Sequence, residues 1–176
     1  RVSSGAPGSG QYQLLTDLLA VYNIKRDDVK EDHSSFTQAV DKIKDGNLEA
    51  TLITAGVPTS AVTDFAQSHA LKIIPLSGPE IAELQKKQPY YASVNIPAGA
   101  YKGVTAAVPT LAVMAVWATH DGLPEAVAYE VTKSLFENTA IMGQVHAQGK
   151  NITLGTALAV GTTPLWHRSH AAQVLR

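Results

Sequence analysis

The chain has 176 residues, 45% of them apolar and 16% charged, a balance that excludes a disordered segment and leaves room for one domain or a little more. Fourteen basic against fifteen acidic side chains give a net charge of −1 with no run of either sign, so the basic footprint of a nucleic-acid or membrane-surface binder is missing. There is no cysteine, which excludes disulfides, thiolate zinc sites and thiol catalysis.

In chain order, Leu14, Leu15, Leu18, Leu19 and Tyr22 recur at helical spacing behind Gly8-Ser9-Gly10, and a short apolar run precedes that turn. Phe36, Val40 and Ile43 repeat the helical pattern, opened by a Ser35/Gln38 capping box and stopped at Asp45-Gly46. Residues 48–55 read as a strand, and a third helix follows from Pro58 with Val62, Phe65 and Ala66 inward. Residues 71–76 read as a buried strand, closed by a second capping box, Ser77-Gly-Pro-Glu80. The helix it opens turns Ile81 and Leu84 inward and ends near Lys87.

Strands alternating with helices of this length predict an α/β fold with a parallel sheet of βαβ units. After Lys87 the character changes. From Gln88 to His120 the only charged residue is Lys102, and residues 90–96 and 110–118 read as long buried strands. The apolar run 111–118 is less than half the ~20 residues that span a bilayer. Helical period returns from Pro124, with Val127, Val131 and Leu135 on one stripe and Ile141 and Val145 on another, and a short helix is expected from Ser169. A domain boundary is expected near 96–104.

Two loops carry candidate chemistry. Gly5-Ala-Pro-Gly8-Ser9-Gly10 sets backbone N–H groups and a positive helix end at the carboxyl edge of a parallel sheet, where ligands of such sheets bind. It reads equally well as a tight strand-to-helix turn. Thr54-Ala-Gly56-Val-Pro58 repeats the device after another strand, and two such loops on one edge favour a site. Gly10 is followed by Gln11-Tyr12, so this is no Walker loop, and Ser9 lies directly between two glycines, so it is no nucleophile elbow.

His33, His69, His120 and His146 are isolated in sequence, and the pair His167-x-x-His170 has no carboxylate near it, so no metal site and no cofactor are expected. Asp27-Asp28 and Glu31-Asp32 are expected to face solvent. Tyr90, Tyr91 and Tyr101 serve either as core with a wet hydroxyl or as a cleft wall.

The order of these motifs resembles the TAXI family, the solute receptors of TRAP transporters. Val2-Ser-Ser-Gly-Ala-Pro-Gly-Ser-Gly10 is similar to that family's Gly-Ala-Pro-Gly-Ser-Gly-Thr segment. Asp45-Gly-Asn-Leu-Glu-Ala50 with Gly56-Val-Pro58 resembles its Asp-Gly-x-Ile-Asp-Ala and Gly-x-Pro segment, and Ile96-Pro-Ala-Gly-Ala-Tyr101 its Ile-Pro-Ala-Gly-Thr-Tyr. Val127-Ala-Tyr-Glu-Val-Thr-Lys133-Ser-Leu-Phe-Glu-Asn138 is similar to a fourth, and the match runs in order to about residue 166. Gln11 and Ala100 stand where the family has threonine, and Pro164-Leu-Trp-His-Arg168 follows its Pro-Leu-His-Pro-Gly only loosely. Gln11 and Ala100 would each remove a hydroxyl from the cleft, so the ligand's identity does not carry over.

The resemblance implies a type II periplasmic-binding-protein fold. Residues 1–96 would be the second, ligand-binding lobe, 97–104 a crossover, and 105–176 a return into a first lobe whose N-terminal part precedes this chain. It implies a periplasmic receptor, exported by a signal peptide outside these residues, that passes a small organic acid or amino acid to a membrane subunit. Its ligand contacts would be Gly5, Gly8, Ser9, Gly10, Gly56, Pro58 and Tyr101, with no catalytic residue. The competing readings are a small α/β enzyme holding a phosphate or acyl group on the Gly-rich loop, and a fragment without ligand function.

Overall fold

The computed structural model describes residues 1–157, in two compact units, Arg1–Ala112 and a second beginning at Val113. The expected helix from Ser169, the pair His167 and His170, and the segment 164–168 lie outside the described residues.

The first unit is α/β, as its alternation predicts. Strand β1 (Val2–Ser3) lies between β2 (Glu31–Asp32) and β3 (Ala50–Thr51), and both pairings are parallel. Each crossover carries a helix, α1 (Gly10–Val21) between β1 and β2 and α2 (Phe36–Lys44) between β2 and β3. Ser9 caps α1 by accepting from the Tyr12 N–H, and Ser35 and Gln38 form the expected reciprocal capping box on α2. Then come α3 (Ser60–Ser68), α4 (Pro79–Lys87) and an antiparallel hairpin of β4 (Ala92–Ile96) and β5 (Val108–Ala112).

Leu15 and Leu19 are buried on α1, while Leu14 and Leu18 flank a cluster of Val21, Leu84 and Tyr91 that joins α1, α4 and the start of the hairpin. The phenol of Tyr91 donates to Asp17 Oδ2 at 2.9 Å, and burial, reinforced by that carboxylate, pushes its pKa up. A second cluster, Ala66, Tyr101 and Val104, collects Val57, Val62, Leu71, Ile73 and Val108 around α3.

Four expectations change. The strand predicted over 48–55 shortens to Ala50–Thr51; the Leu52 N–H still donates to the Ser3 carbonyl of β1, and the residues after it form the next loop. Residues 71–76 form no strand. Leu71 and Ile73 dip into the second cluster, Ile74 is 65% exposed, and Pro75 has no N–H for a ladder. The two long buried strands of 90–96 and 110–118 are five residues each, with β4 largely exposed and β5 half-buried. At α4 the second capping box does not form. Gly78, at φ +104°, is the N-cap, and Pro79 opens the helix without a side-chain cap.

The segment 97–104 joins β4 to β5 within the first unit. The second unit holds α5 (Glu125–Glu137) and α6 (Thr139–Val145), followed by a 3-10 turn, Ala147–Asn151. Val127 and Val131 of the expected stripe are exposed, as are Ile141 and Val145.

Candidate functional site

Parallel strands all end at the same edge of their sheet, and there the chain places three loops side by side: 4–9 after β1, 33–35 after β2 and 52–59 after β3. Helices α1 and α2 start from this edge, so two positive helix ends face it. The first N–H groups of a helix have no partner within it, and Ser9 satisfies only that of Tyr12, which leaves the Gly10 and Gln11 amides available to an anion. Gly8, at φ +81° with open space where a Cβ would stand, gives a ligand close access to the backbone.

Behind the loop the chain is fixed. Gln11 is buried and its side-chain amide donates to the carbonyl of Leu52, so one residue ties the start of α1 to the loop after β3. Gly5 has φ +71°, and a Cβ there would fall 2.5 Å from Gln11 Oε1. Ser3 and Ser4 are fully buried.

The second loop closes through its own turn. Thr59 Oγ1 donates to the Gly56 carbonyl at 2.6 Å, the Val57–Pro58 bond is cis, and Val57 packs into the second core cluster. The Tyr101 hydroxyl accepts the Thr59 N–H at 3.0 Å, so this buried tyrosine holds the start of α3. Of the expected contacts, Gly5, Gly8, Ser9 and Gly10 share one loop, Gly56 and Pro58 lie in the loop of the adjacent strand, and Tyr101 joins them through Thr59.

Sequence reasoning missed the third loop. Glu31 and Asp32, expected to face solvent, are strand β2, and their carboxylates are engaged. Arg26 meets Glu31 with two nitrogens, Nε to Oε1 at 2.5 Å and Nη2 to Oε2 at 2.7 Å, and its guanidinium lies 4.3 Å over the Tyr12 ring. The Ser4 hydroxyl donates to Glu31 Oε2 at 3.1 Å. Asp32 accepts from the Ser34 N–H at 2.9 Å and from Lys42 Nζ at 2.5 Å. His33, isolated in sequence, lies with Nδ1 3.0 Å from the Gly5 carbonyl and 3.3 Å from Ser4 Oγ. One signal was available: Asp32-His33-Ser34-Ser35 repeats the polar turn and hydroxyl cap that Ser3-Ser4 and Ser9 make after β1.

These groups make no nucleophile. Ser4 is buried and its proton is committed to Glu31, while the His33 Nδ1–H goes to a carbonyl, so neither prepares the other for attack. What this edge exposes are backbone amides, hydroxyls and two helix N-termini.

Lys42 first, and then Ser34, hold the Asp32 carboxyl at about 2, below its ordinary 3.8. A depressed pKa stabilises the fold above the ordinary value, and that contribution is lost as pH falls from near 4 through about 2. Lys42 is 44% exposed, so solvent screens the pair. Asp32→Asn is therefore expected to cost on the order of 1 kcal/mol at neutral pH. Urea titrations of both proteins should converge as pH drops towards 2; a gap that persists there would contradict the pairing.

A parallel sheet whose strand-end loops present helix N-termini and glycine-rich turns has the edge at which ligands of α/β sheets bind. The sequence matches the model of the NMT1-like family over residues 1–171, and the chain belongs to that family. It is a periplasmic solute-binding-like family, typically extracytoplasmic, and its members are binding proteins rather than enzymes. No helix among the described residues is long and apolar enough to cross a membrane.

Proposed function

We propose that this chain forms the ligand-binding part of an extracytoplasmic receptor that takes a small organic acid or amino acid and delivers it to the membrane subunit of a TRAP-type transporter. The observation that carries the ligand class is the shared edge: the loop 4–9 and the loop 52–59 follow adjacent parallel strands, with the Gly10 and Gln11 amides at the start of α1. A carboxylate suits such donors. The transporter class rests on the four ordered motifs that resemble the TAXI family.

In this reading the first unit, with its β4–β5 hairpin, belongs to the second lobe, and the chain beyond Ala112 to the other lobe. Gly5, Gly8, Ser9 and Gly10 face the solute from one side, and Gly56 and Pro58 from the next loop. Tyr101 shapes the wall by holding Thr59. The receptor needs no cofactor and no nucleic acid.

The test is a thermal-shift screen with organic acids and amino acids, each at roughly a hundred times its dissociation constant where solubility allows. A ligand at that excess stabilises by about 2.7 kcal/mol, and at this chain length each kcal/mol moves Tm by roughly 2–4 °C. We expect a rise of that order with at least one carboxylate and no turnover of it. A screen in which no acid or amino acid moves Tm, or one in which the bound compound is consumed, overturns the proposal.

A further inference from the structure

We propose that the free edge of β4 is a self-association surface, on which a second copy of this chain lays its own β4 antiparallel, across a two-fold axis at Val94. Which main-chain groups are free follows from the ladder. Asn95 stands opposite Pro109, and a proline has no N–H to exchange, so this pair turns its main-chain groups away from each other. The bonded pairs are therefore Ala92 with Ala112, Val94 with Thr110 and Ile96 with Val108. Ser93 and Asn95 turn their N–H and C=O groups outward. The far side of the hairpin agrees, since the Pro109 carbonyl accepts from the Leu76 N–H at 2.9 Å, beyond β5. Among the described residues nothing meets the main-chain groups of Ser93 and Asn95 on the open side.

The two edges of the hairpin differ in protection. Pro109 and Leu76 blunt that of β5, whereas β4 is exposed over residues 92–95 and carries neither proline nor charge. From Gln88 to Tyr101 the chain has no charged residue, so two copies of this edge meet without like-charge repulsion. The ends of the edge set the register. Tyr91 donates its N–H to the Gln88 carbonyl, and its own carbonyl accepts from Gln85 Nε2 at 3.1 Å. Pro97 has no N–H, and its carbonyl accepts from the Ala100 N–H. Only Ser93 and Asn95 are left to pair. With Ser93 set against Asn95 of the second copy, both residues exchange both of their bonds, and Val94 faces its equivalent on the axis. Sliding either strand by two residues brings Tyr91 or Pro97 into the pairing, where the groups are already spent. Ser93 Oγ donates to Gln85 Oε1 on α4, so Val94, next along the strand and 41% exposed, points to the opposite face. There the two valines form the closely spaced kind of cross-strand pair.

A five-residue strand offers well under the roughly 800 Å² per partner of a standard interface, so the dimer is a weak one. Sedimentation equilibrium of this chain between about 10 μM and about 1 mM should show the mean mass climbing from one chain towards two. Amide exchange at Ser93 and Asn95 should slow over the same range. Val94→Lys and Val94→Glu should each stay monomeric, because like charges would face each other on the axis, and an equal mixture of the two should associate again. Asn95→Pro, which deletes an outward N–H and no bond of the hairpin, should also abolish the association. A chain that stays monomeric at every concentration overturns the proposal. So does a dimer that Val94→Lys leaves unchanged, or a mixture of the two charge variants that fails to associate.

Discussion

Replacing Leu84 by alanine is expected to destabilise the first unit by about 3 kcal/mol. Leu84 is 3% exposed on α4 and packs with Val21 and Tyr91, with Leu14, Leu18 and Leu111 around them. One side chain thus serves three elements: α1, α4 and the hairpin. Truncation removes its transfer free energy and leaves a cavity that these elements cannot all close together. Tyr91 would also lose a wall while its hydroxyl remains bound to Asp17, which keeps the ring from moving into the space. A Tm lower by roughly 10 °C should result, taking about 2–4 °C per kcal/mol at this length. A loss below ~1 kcal/mol in urea unfolding would mean that α4 does not rest on α1.

Ser9→Asp should separate stability from binding. Aspartate caps a helix as well as serine does and favours the positive end of α1, so the fold should lose little. The same substitution sets a negative charge beside the Gly10 amide, where the proposed carboxylate lies. At ~4 Å two such charges repel by about 4 kcal/mol for an effective dielectric of ~20. Since each ~1.4 kcal/mol is a factor of ten, affinity for an acidic solute should drop at least about a hundredfold. Calorimetric titration of both proteins with the solute found by thermal shift decides it: unchanged affinity would make the glycine-rich loop a turn and nothing more.

How far the fold was legible depended on what each element uses to hold itself. Turns and caps are local, so β1, the glycine-rich turn, α1 and the Ser35/Gln38 box could be read directly. Strand β2 could not. It is made of Glu31 and Asp32, and what makes such a strand tolerable is Arg26 and Lys42, contributed by neighbouring segments. Residues 71–76 failed in the opposite sense: the apolar pattern was present, and the Leu76 N–H does donate to the Pro109 carbonyl of β5, but no ladder follows from it. The hairpin was read as buried because it is apolar, and apolarity alone does not say what covers a surface. At the site, the two glycine loops announced themselves by composition. His33 and Gln11 did not, because their partners, Gly5 and Leu52, are brought near only by the sheet. The motif order led to a solute-receptor family, and the match to the NMT1-like family fixes membership at that level.

Gln11 stands where the resembled motif has threonine, and it spans from the first turn of α1 to the Leu52 carbonyl while filling the space beside Gly5. A hydroxyl at that position would be available to a solute; the longer amide is spent on a cross-brace between the two loops. The brace ties the two loops together without a ligand, which lowers the conformational freedom they would lose on association. If the edge binds the proposed solute, such a brace favours discrimination by shape over adaptation. Position 5 is bound into the same arrangement: a side chain there would have to displace the Gln11 amide from its brace, and the φ of +71° favours glycine in any case.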